Sequence, residues 1–369
     1  MSEKILMKGN EALAEAAIRA GCRHFFGYPI TPQTELAAYM SKQLPKIGGT
    51  YLQAESEVAA INMVYGASSA GIRVMTSSSS PGVSLKGEGI SYMIGADLPG
   101  LIVNINRGGP GLGGIQPSQS DYWMATRATG HGDGHVIVLA PSTVQEMADL
   151  ARLAFDLGDR YRTPVMILAD GLLGQMMEPV ELPDALDPAD LPHKDWAVDG
   201  TKGERSHNII NSLSLVAQVL EDMVIQRHQR YQLIKQEEQR AQLEQVEDAE
   251  LVVVAYGAAA RIVRSAVQAA RKEGFKVGMI RPITLWPFPD VAICKACNTA
   301  SAFLSVELST GQMVDDIRLA VAGARPVSFF GHSGGIIPTP AEVLVAIKKA
   351  YAGEVFHLLP YQSKLEGGE

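Results

Sequence analysis

Over its first half the chain alternates short, largely apolar runs with longer helix-forming segments. That rhythm constrains the fold more than any other feature, because neighbouring parallel strands need a long crossover between them, usually a helix. Strands are expected at His24–Gly27, Thr50–Gln53, Arg73–Ser77, Leu101–Asn106, His135–Leu139 and Pro164–Ala169. Helices are expected between most of them, notably Ser56–Ser69 and Val144–Leu157. An earlier helix starts at an Asn10 cap, runs through Ile18 and is closed by Gly21. The implied fold class is α/β, a parallel sheet covered on both faces.

The texture changes near Glu181, which divides the chain into three expected parts. Residues 1–183 form the first α/β domain. Residues 184–248 hold a linker rich in Pro, Asp and Gly, then a long charged helix, Ser214–Val246. Its narrow apolar face (Leu215, Val219, Met223, Leu233, Leu243) suits packing along its own domain or a partner, with a coiled coil as the alternative. Residues 249–369 form a second α/β domain. Its strands are expected at Leu251–Tyr256, Lys276–Ile280, Ala302–Glu307 and Pro326–Phe330, and its helices at Arg261–Glu273 and Pro340–Ala352.

Composition narrows the function classes. No apolar stretch reaches the roughly 18 residues of a membrane-spanning helix, and the N-terminal residues lack the apolar core of a signal peptide. The formal net charge is -8 with no basic run, which argues against nucleic acid as a partner. The three cysteines, Cys22, Cys294 and Cys297, suit a reducing cytoplasm and are too few for a four-cysteine iron–sulfur cluster. Cys294 and Cys297 form a lone CxxC. Two small residues on a helix explain it better than a redox or metal pair.

Four segments carry the candidate chemistry, each at the C-terminal end of an expected strand, where open α/β sheets place ligands. GYPITPQTEL (27–36) holds Thr31 between two prolines, a rigid presentation of one hydroxyl or simply a helix cap. QAESEVAAINMVYGASSAG (53–71) opens a helix with Glu55 and Glu57 and carries no further charge until Arg73, so it is expected to be buried on most sides. A carboxylate at such a helix mouth can share a proton with a ring nitrogen, or simply favour the helix dipole. The dipole explains Glu55; Glu57 stays open between the two. SSSSPG (77–82) puts hydroxyls at another helix start, a weak signal for a phosphate or carboxylate. NRGGPGLGG (106–114) follows a strand with Arg107, whose guanidinium can grip a carboxylate through two parallel hydrogen bonds. The glycine loop fits neither a Walker nor a dinucleotide-binding pattern.

Together these segments resemble the subunit of 2-oxoacid:ferredoxin oxidoreductases that contributes the pyrimidine side of a thiamine diphosphate site. YPITP (28–32), ESEVAAINMVYGASSAG (55–71) and NRGGPG (106–111) carry the likeness, and VVVAYGAAAR (252–261), RPITLWPFP (281–289) and GHSGG (331–335) extend it over nearly the whole chain. The resemblance implies a thiamine-diphosphate pyrimidine-binding domain followed by a transketolase C-terminal-like domain. It implies that Glu57 hydrogen-bonds the aminopyrimidine and favours the imino tautomer that removes the C2 proton. It implies substrate contacts at Thr31, Arg107 and Ile30, and cofactor contacts at Tyr28, Pro29, Glu57 and Arg107. No residue is assigned to a metal in this chain. His332 in GHSGG is expected to pack or cap a turn.

The implied reaction is decarboxylation of a 2-oxoacid, two single-electron transfers and capture of the acyl group by coenzyme A. Gly132-Asp133-Gly134 resembles the start of the GDG…NN signature that binds magnesium and diphosphate, but no asparagine lies between Asn106 and Asn208. Asp133 is therefore expected to be a loop residue. By resemblance, Mg2+ and the diphosphate site belong to a beta-type subunit, and the iron–sulfur clusters to a ferredoxin-like subunit. A gamma-type subunit can complete the assembly, and an external ferredoxin takes the electrons. The motifs resemble the branched-chain (2-oxoisovalerate) type first and the 2-oxoglutarate type second. A non-catalytic assembly subunit and a transketolase-like enzyme without electron transfer are the rival readings.

Overall fold

The computed structural model describes residues 4–359. The chain runs β1 (Ile5–Lys8), α1 (Gly9–Arg19), β2 (His24–Gly27), α2 (Thr34–Gln43), β3 (Thr50–Gln53), α3 (Glu57–Ser69), β4 (Val74–Ser78), α4 (Pro81–Gly95) and β5 (Gly100–Asn106). It continues through α5 (Tyr122–Thr126), β6 (Ile137–Leu139), α6 (Val144–Tyr161), β7 (Pro164–Asp170), α7 (Gly171–Gln175) and β8 (Met177–Val180). The expected strand–helix alternation is thus present, because strands such as β5 and β7 are buried along their whole length and read as unbroken apolar runs.

These strands build a seven-stranded sheet in the order β12-β6-β7-β5-β4-β2-β3. Its member from far downstream is β12 (Thr284–Trp286), which pairs antiparallel with β6 while the other neighbours pair in parallel. Strands β1 and β8 form a separate antiparallel pair that brings both ends of the first α/β unit together.

Downstream, the charged segment departs from expectation. The helix α8 covers Ala217–Glu237 only, and Ala241–Glu244 is a strand, β9. The helix stops where Arg240 turns the chain: its N–H bonds the Thr284 hydroxyl at 2.9 Å, and its carbonyl accepts from the N–H of Ile283 at 2.9 Å. β9 then pairs antiparallel with β11 (Val277–Pro282). β10 (Leu251–Val254), β13 (Ala302–Glu307), β14 (Val327–Gly331) and β15 (His357–Leu358) complete a six-stranded sheet, order β15-β14-β13-β10-β11-β9. Helices α9 (Gly257–Lys272), α10 (Asp290–Ala296), α11 (Met313–Val321) and α12 (Pro340–Tyr351) complete this half. Cys294 lies in α10 and Cys297 is its C-cap, both free thiols. No helix among the described residues is long and apolar enough to cross a membrane.

The two halves are joined by polar side chains that satisfy buried groups across the seam. Arg281 on β11 is 2% exposed and grips Glu146 of α6 with both terminal nitrogens, at 2.6 and 3.1 Å. Gln119 donates to the Tyr256 carbonyl at 2.8 Å and accepts from the Leu308 N–H at 3.0 Å. Asp170, at the end of β7, caps α7 through Leu172 and Leu173 and also accepts from Ala258 at the start of α9. Burial pushes the Asp170 carboxyl up to about 6, against three hydrogen bonds that lower it.

Candidate active site

The C-terminal tips of β2, β4 and β5 converge with the starts of α3 and α4. α3 begins because the Ser56 side chain accepts from the Ala59 N–H, which puts Glu57 at the first helical position. Glu57 is 6% exposed, while Glu55 is exposed. Among the described residues, no hydrogen bond or ion pair reaches the Glu57 carboxylate. It lies against the backbone of Gly82 in α4, where an added Cβ would come within 2.6 Å of Glu57 Oε1 and 2.2 Å of Ser78 Oγ. Only a glycine permits that approach.

The first motif is held from behind. Asn10 was expected to cap α1, but Lys8, arriving from β1, occupies that position. Asn10 is buried inside the helix instead, and its amide donates to the Pro32 carbonyl at 2.9 Å. Gln33, also buried, donates to the Tyr28 carbonyl and accepts from the Ser77 hydroxyl at 2.6 Å. The loop is thereby clamped while Tyr28, Pro29 and Thr31 stay exposed and Ile30 half-buried. Thr31 does not cap α2, whose N-cap is Gln33.

Arg107 is buried where β5 ends, and its backbone is locked to Ser80: its N–H donates to the Ser80 hydroxyl, which in turn donates to the Arg107 carbonyl. Ser80 has φ +29°, a strained backbone for a residue other than glycine. The guanidinium donates to the Thr31 carbonyl at 2.9 Å and to the Leu112 carbonyl at 3.1 Å. So Arg107 ties the two motif loops together with one N–H of each terminal nitrogen. The other N–H groups make no hydrogen bond among the described residues, and Nε is buried without a partner there. Asn104 bonds Asp121 at 2.9 Å, and burial raises the Asp121 carboxyl above its ordinary value.

On β4 and just after it, at the end of β5 and on α4, several buried polar atoms have no partner among the described residues: the hydroxyls of Thr76, Ser78 and Ser79, both ends of the Asn106 amide, and the ammonium of Lys86. Burying such groups unpaired is costly. Of these, Ser78 shares the Gly82 contact with the Glu57 carboxylate, and such a set of unmet polar groups suits a polar ligand that supplies the missing partners.

The surroundings also correct one expectation. α3 is uncharged beyond Glu57, yet Val58, Asn62 and Gly66 leave one face open, and Leu85 and Tyr92 of α4 are exposed near it. Sequence reasoning missed Asn10, Gln33, Gly82 and Lys86. Only Lys86 left a trace, being one of two charged residues in α4, with glycines on either side. Asp133 lies in a loop, and His332 packs edge-on to Phe330, with its Nε2 3.8 Å from Glu342.

A mainly parallel sheet with these motif loops at its strand tips, joined to a second mainly parallel sheet, defines a thiamine-diphosphate enzyme of the pyrimidine-binding type. Residues 15–255 match the family described as "Pyruvate flavodoxin/ferredoxin oxidoreductase, thiamine diP-bdg", and residues 249–343 match "Pyruvate:ferredoxin oxidoreductase core domain II". The chain belongs to this family and is a subunit of a 2-oxoacid:ferredoxin oxidoreductase, an oxidoreductase that acts with partner subunits.

It is 47% identical over 349 residues to the ketoisovalerate oxidoreductase subunit VorB of Methanothermobacter marburgensis, covering 95% of this chain and 98% of that protein. It is 35% identical over 390 residues to the 2-oxoglutarate synthase subunit KorA of Methanothermobacter thermautotrophicus, covering 95% and 99%. Among solved structures, the 2-oxoglutarate:ferredoxin oxidoreductase from Magnetococcus marinus, with 2-oxoglutarate, coenzyme A and succinyl-CoA bound, superposes with TM-score 0.82 at 27% identity. That match covers 95% of this chain and 66% of the other. A split-gene transketolase, at TM-score 0.59 and 13% identity, shares the fold.

Proposed function

We propose that this chain is the pyrimidine-side subunit of a branched-chain 2-oxoacid (2-oxoisovalerate) oxidoreductase that releases CO2, forms acyl-CoA and passes electrons to ferredoxin. The observation that carries the reading is the Glu57 carboxylate, buried against Gly82 and without a hydrogen-bond partner among the described residues. Thiamine diphosphate, when bound, supplies the electron sink for decarboxylation. Glu57 holds the proton shared with the aminopyrimidine, from a position fixed by α3 and Gly82. Tyr28 and Pro29 shape the cofactor wall, and Ile30 the substrate wall. The Thr31 hydroxyl and the spare N–H groups of Arg107 hold the substrate carboxylate and carbonyl.

The open face of α3 and the exposed Leu85 and Tyr92 fit a cover provided by a partner. We assign that cover to a beta-type subunit bringing the diphosphate and Mg2+ site. A ferredoxin-like subunit would carry the clusters, a gamma-type subunit would complete the complex, and an external ferredoxin would accept the electrons. The apolar character of Tyr28, Pro29 and Ile30 supports a branched-chain substrate, as does the higher identity to VorB than to KorA. A 2-oxoglutarate enzyme is the second reading, favoured by the fold match to the Magnetococcus marinus enzyme.

The test uses the complex purified with its natural partners. Coenzyme-A-dependent viologen reduction is compared with 2-oxoisovalerate, 2-oxoglutarate and pyruvate. Fastest turnover of 2-oxoisovalerate is expected; a preference for 2-oxoglutarate moves the assignment to the second reading. In parallel, Glu57→Gln should nearly abolish C2-proton exchange of the bound cofactor while leaving the complex assembled. Unchanged exchange would overturn the role given to Glu57.

A further inference from the structure

Lys86 is fully buried, and its ammonium has no hydrogen-bond partner among the described residues. A charged group in that state needs a reason, because an unpaired buried ion is among the costlier features of a fold. Its place on α4 supplies one. Gly82, Lys86 and Gly89 share the helix face turned toward α3, at i, i+4 and i+7. An added Cβ on Gly82 would come 2.6 Å from Glu57 Oε1, and one on Gly89 would come 2.4 Å from Ile61 Cγ2. The two glycines therefore press α4 onto α3 with Lys86 enclosed between them. Helical side chains lean toward the helix N-terminus, so Lys86 leans from its own turn toward Gly82 and the Glu57 carboxylate.

We propose that Lys86 is a positioning residue for the activation step: its buried ammonium is the counter-charge that holds Glu57 as a carboxylate once Glu57 has given its proton to the cofactor ring. The proton accounting is simple. An O–H bond of Glu57 breaks and an N–H bond forms on the ring; the negative charge stays on Glu57, and the Lys86 ammonium opposes it through the low-dielectric gap. This inference rests on the reading of Glu57 given above.

The electrostatics agree. Burial pushes the Lys86 ammonium down to about 8, and the Glu57 charge works in the opposite direction. Other ionisable groups occur on the surrounding elements: Glu55 before α3, Tyr65 on it, Glu88 and Tyr92 on α4, Arg107 after β5, and Asp121, His131 and Asp133 in the loops. Glu57 is the one whose charge bears on Lys86.

The experiment compares Lys86→Met and Lys86→Arg with the native complex and with Glu57→Gln, reading C2 hydrogen–deuterium exchange against pH, near-ultraviolet circular dichroism of the bound cofactor, thiamine diphosphate affinity and thermal unfolding. Lys86→Met should slow exchange roughly tenfold or more, with thermal unfolding reporting whether the variant complex stays folded. It should also weaken the dichroic signal of the imino tautomer, while affinity stays within about twofold. Lys86→Arg should restore part of the exchange rate. A Lys86→Met complex that exchanges at the native rate with an unchanged pH profile overturns the proposal. If Glu57→Gln also exchanges normally, the underlying reading fails as well; if it does not, only the role of Lys86 is lost. Should neither Lys86 variant fold, the native profile decides. A loss of exchange on the alkaline side, as the Lys86 ammonium gives up its proton at about 8, supports the proposal, and a rate that keeps rising across that range overturns it.

Discussion

The Glu57 carboxylate rests directly on Gly82, so closely that a methyl group there would sit 2.6 Å from Oε1. Gly82→Ala therefore has to displace Glu57, Ser78 or α4 itself. The expected outcome is a loss of C2-proton exchange of tenfold or more, with a stability cost of about 1–3 kcal/mol from overpacking. Exchange measured by quenched NMR, beside a urea titration, checks both. Native exchange with unchanged stability would mean that the contact is slack.

Arg107 joins the Thr31 and Leu112 carbonyls, which lie on different loops. Lysine keeps the charge but not the planar fork that spans both. Arg107→Lys should raise KM for the 2-oxoacid roughly tenfold and speed proteolysis of the 108–116 loop. If only KM changes, the arginine acts on substrate and not on the loops.

Asp170 gives a pH-dependent seam. Its folded-state carboxyl titrates near 6, above an ordinary value of 3.8, so the folded chain binds the proton more tightly than the unfolded chain. The stabilisation this provides is full below about pH 4 and is lost as pH rises through 6, by an amount on the order of 3 kcal/mol at most. Denaturant unfolding of the native chain and Asp170→Asn should show the difference shifting in favour of the native residue as pH falls from 7 to 4. A pH-independent difference would mean that Asp170 titrates normally.

The Arg281–Glu146 pair offers a second measurement of the seam. Removing only the carboxylate, as Glu146→Ala, leaves a 2% exposed guanidinium unpaired and should cost about 3–5 kcal/mol. Replacing both residues with apolar ones of similar volume should recover most of that. Failure of the double variant to recover would show that the pair also positions the Ser142 turn, whose N–H bonds Glu146 at 2.8 Å.

Part of this architecture was legible because buried parallel strands write themselves as largely apolar runs: Ala302–Glu307 was read to the residue. Thr50–Gln53 was read to the residue as well, although that edge strand is largely exposed. Short antiparallel strands left no such mark. MEPV and AQLE, the sequences of β8 and β9, are polar or proline-bearing, and their neighbours alone decide their pairing. The Ser214–Val246 helix was overdrawn because charge without glycine or proline reads as helix, while the stop depends on hydrogen bonds from Thr284 and Ile283 far along the chain. Thr31, Glu57 and Arg107 stood out through motif resemblance; Arg107 bonds the Thr31 carbonyl, while Glu57 sits at the start of α3 against Gly82. Asn10 was misread because its amide reaches across to Pro32, a contact invisible at sequence distance. Lys86 escaped because a lone lysine in a helix ordinarily belongs to a solvated face.

Strand β12 sets a timetable for synthesis. The edge of the first sheet at β6 waits for Thr284–Trp286, which leave the ribosome well over a hundred residues after Leu139. At roughly 5–20 residues per second, the nascent first unit carries an open strand edge for on the order of ten seconds or more. A recombinant fragment ending before residue 284 keeps that edge uncovered and is expected to be less soluble than the full chain.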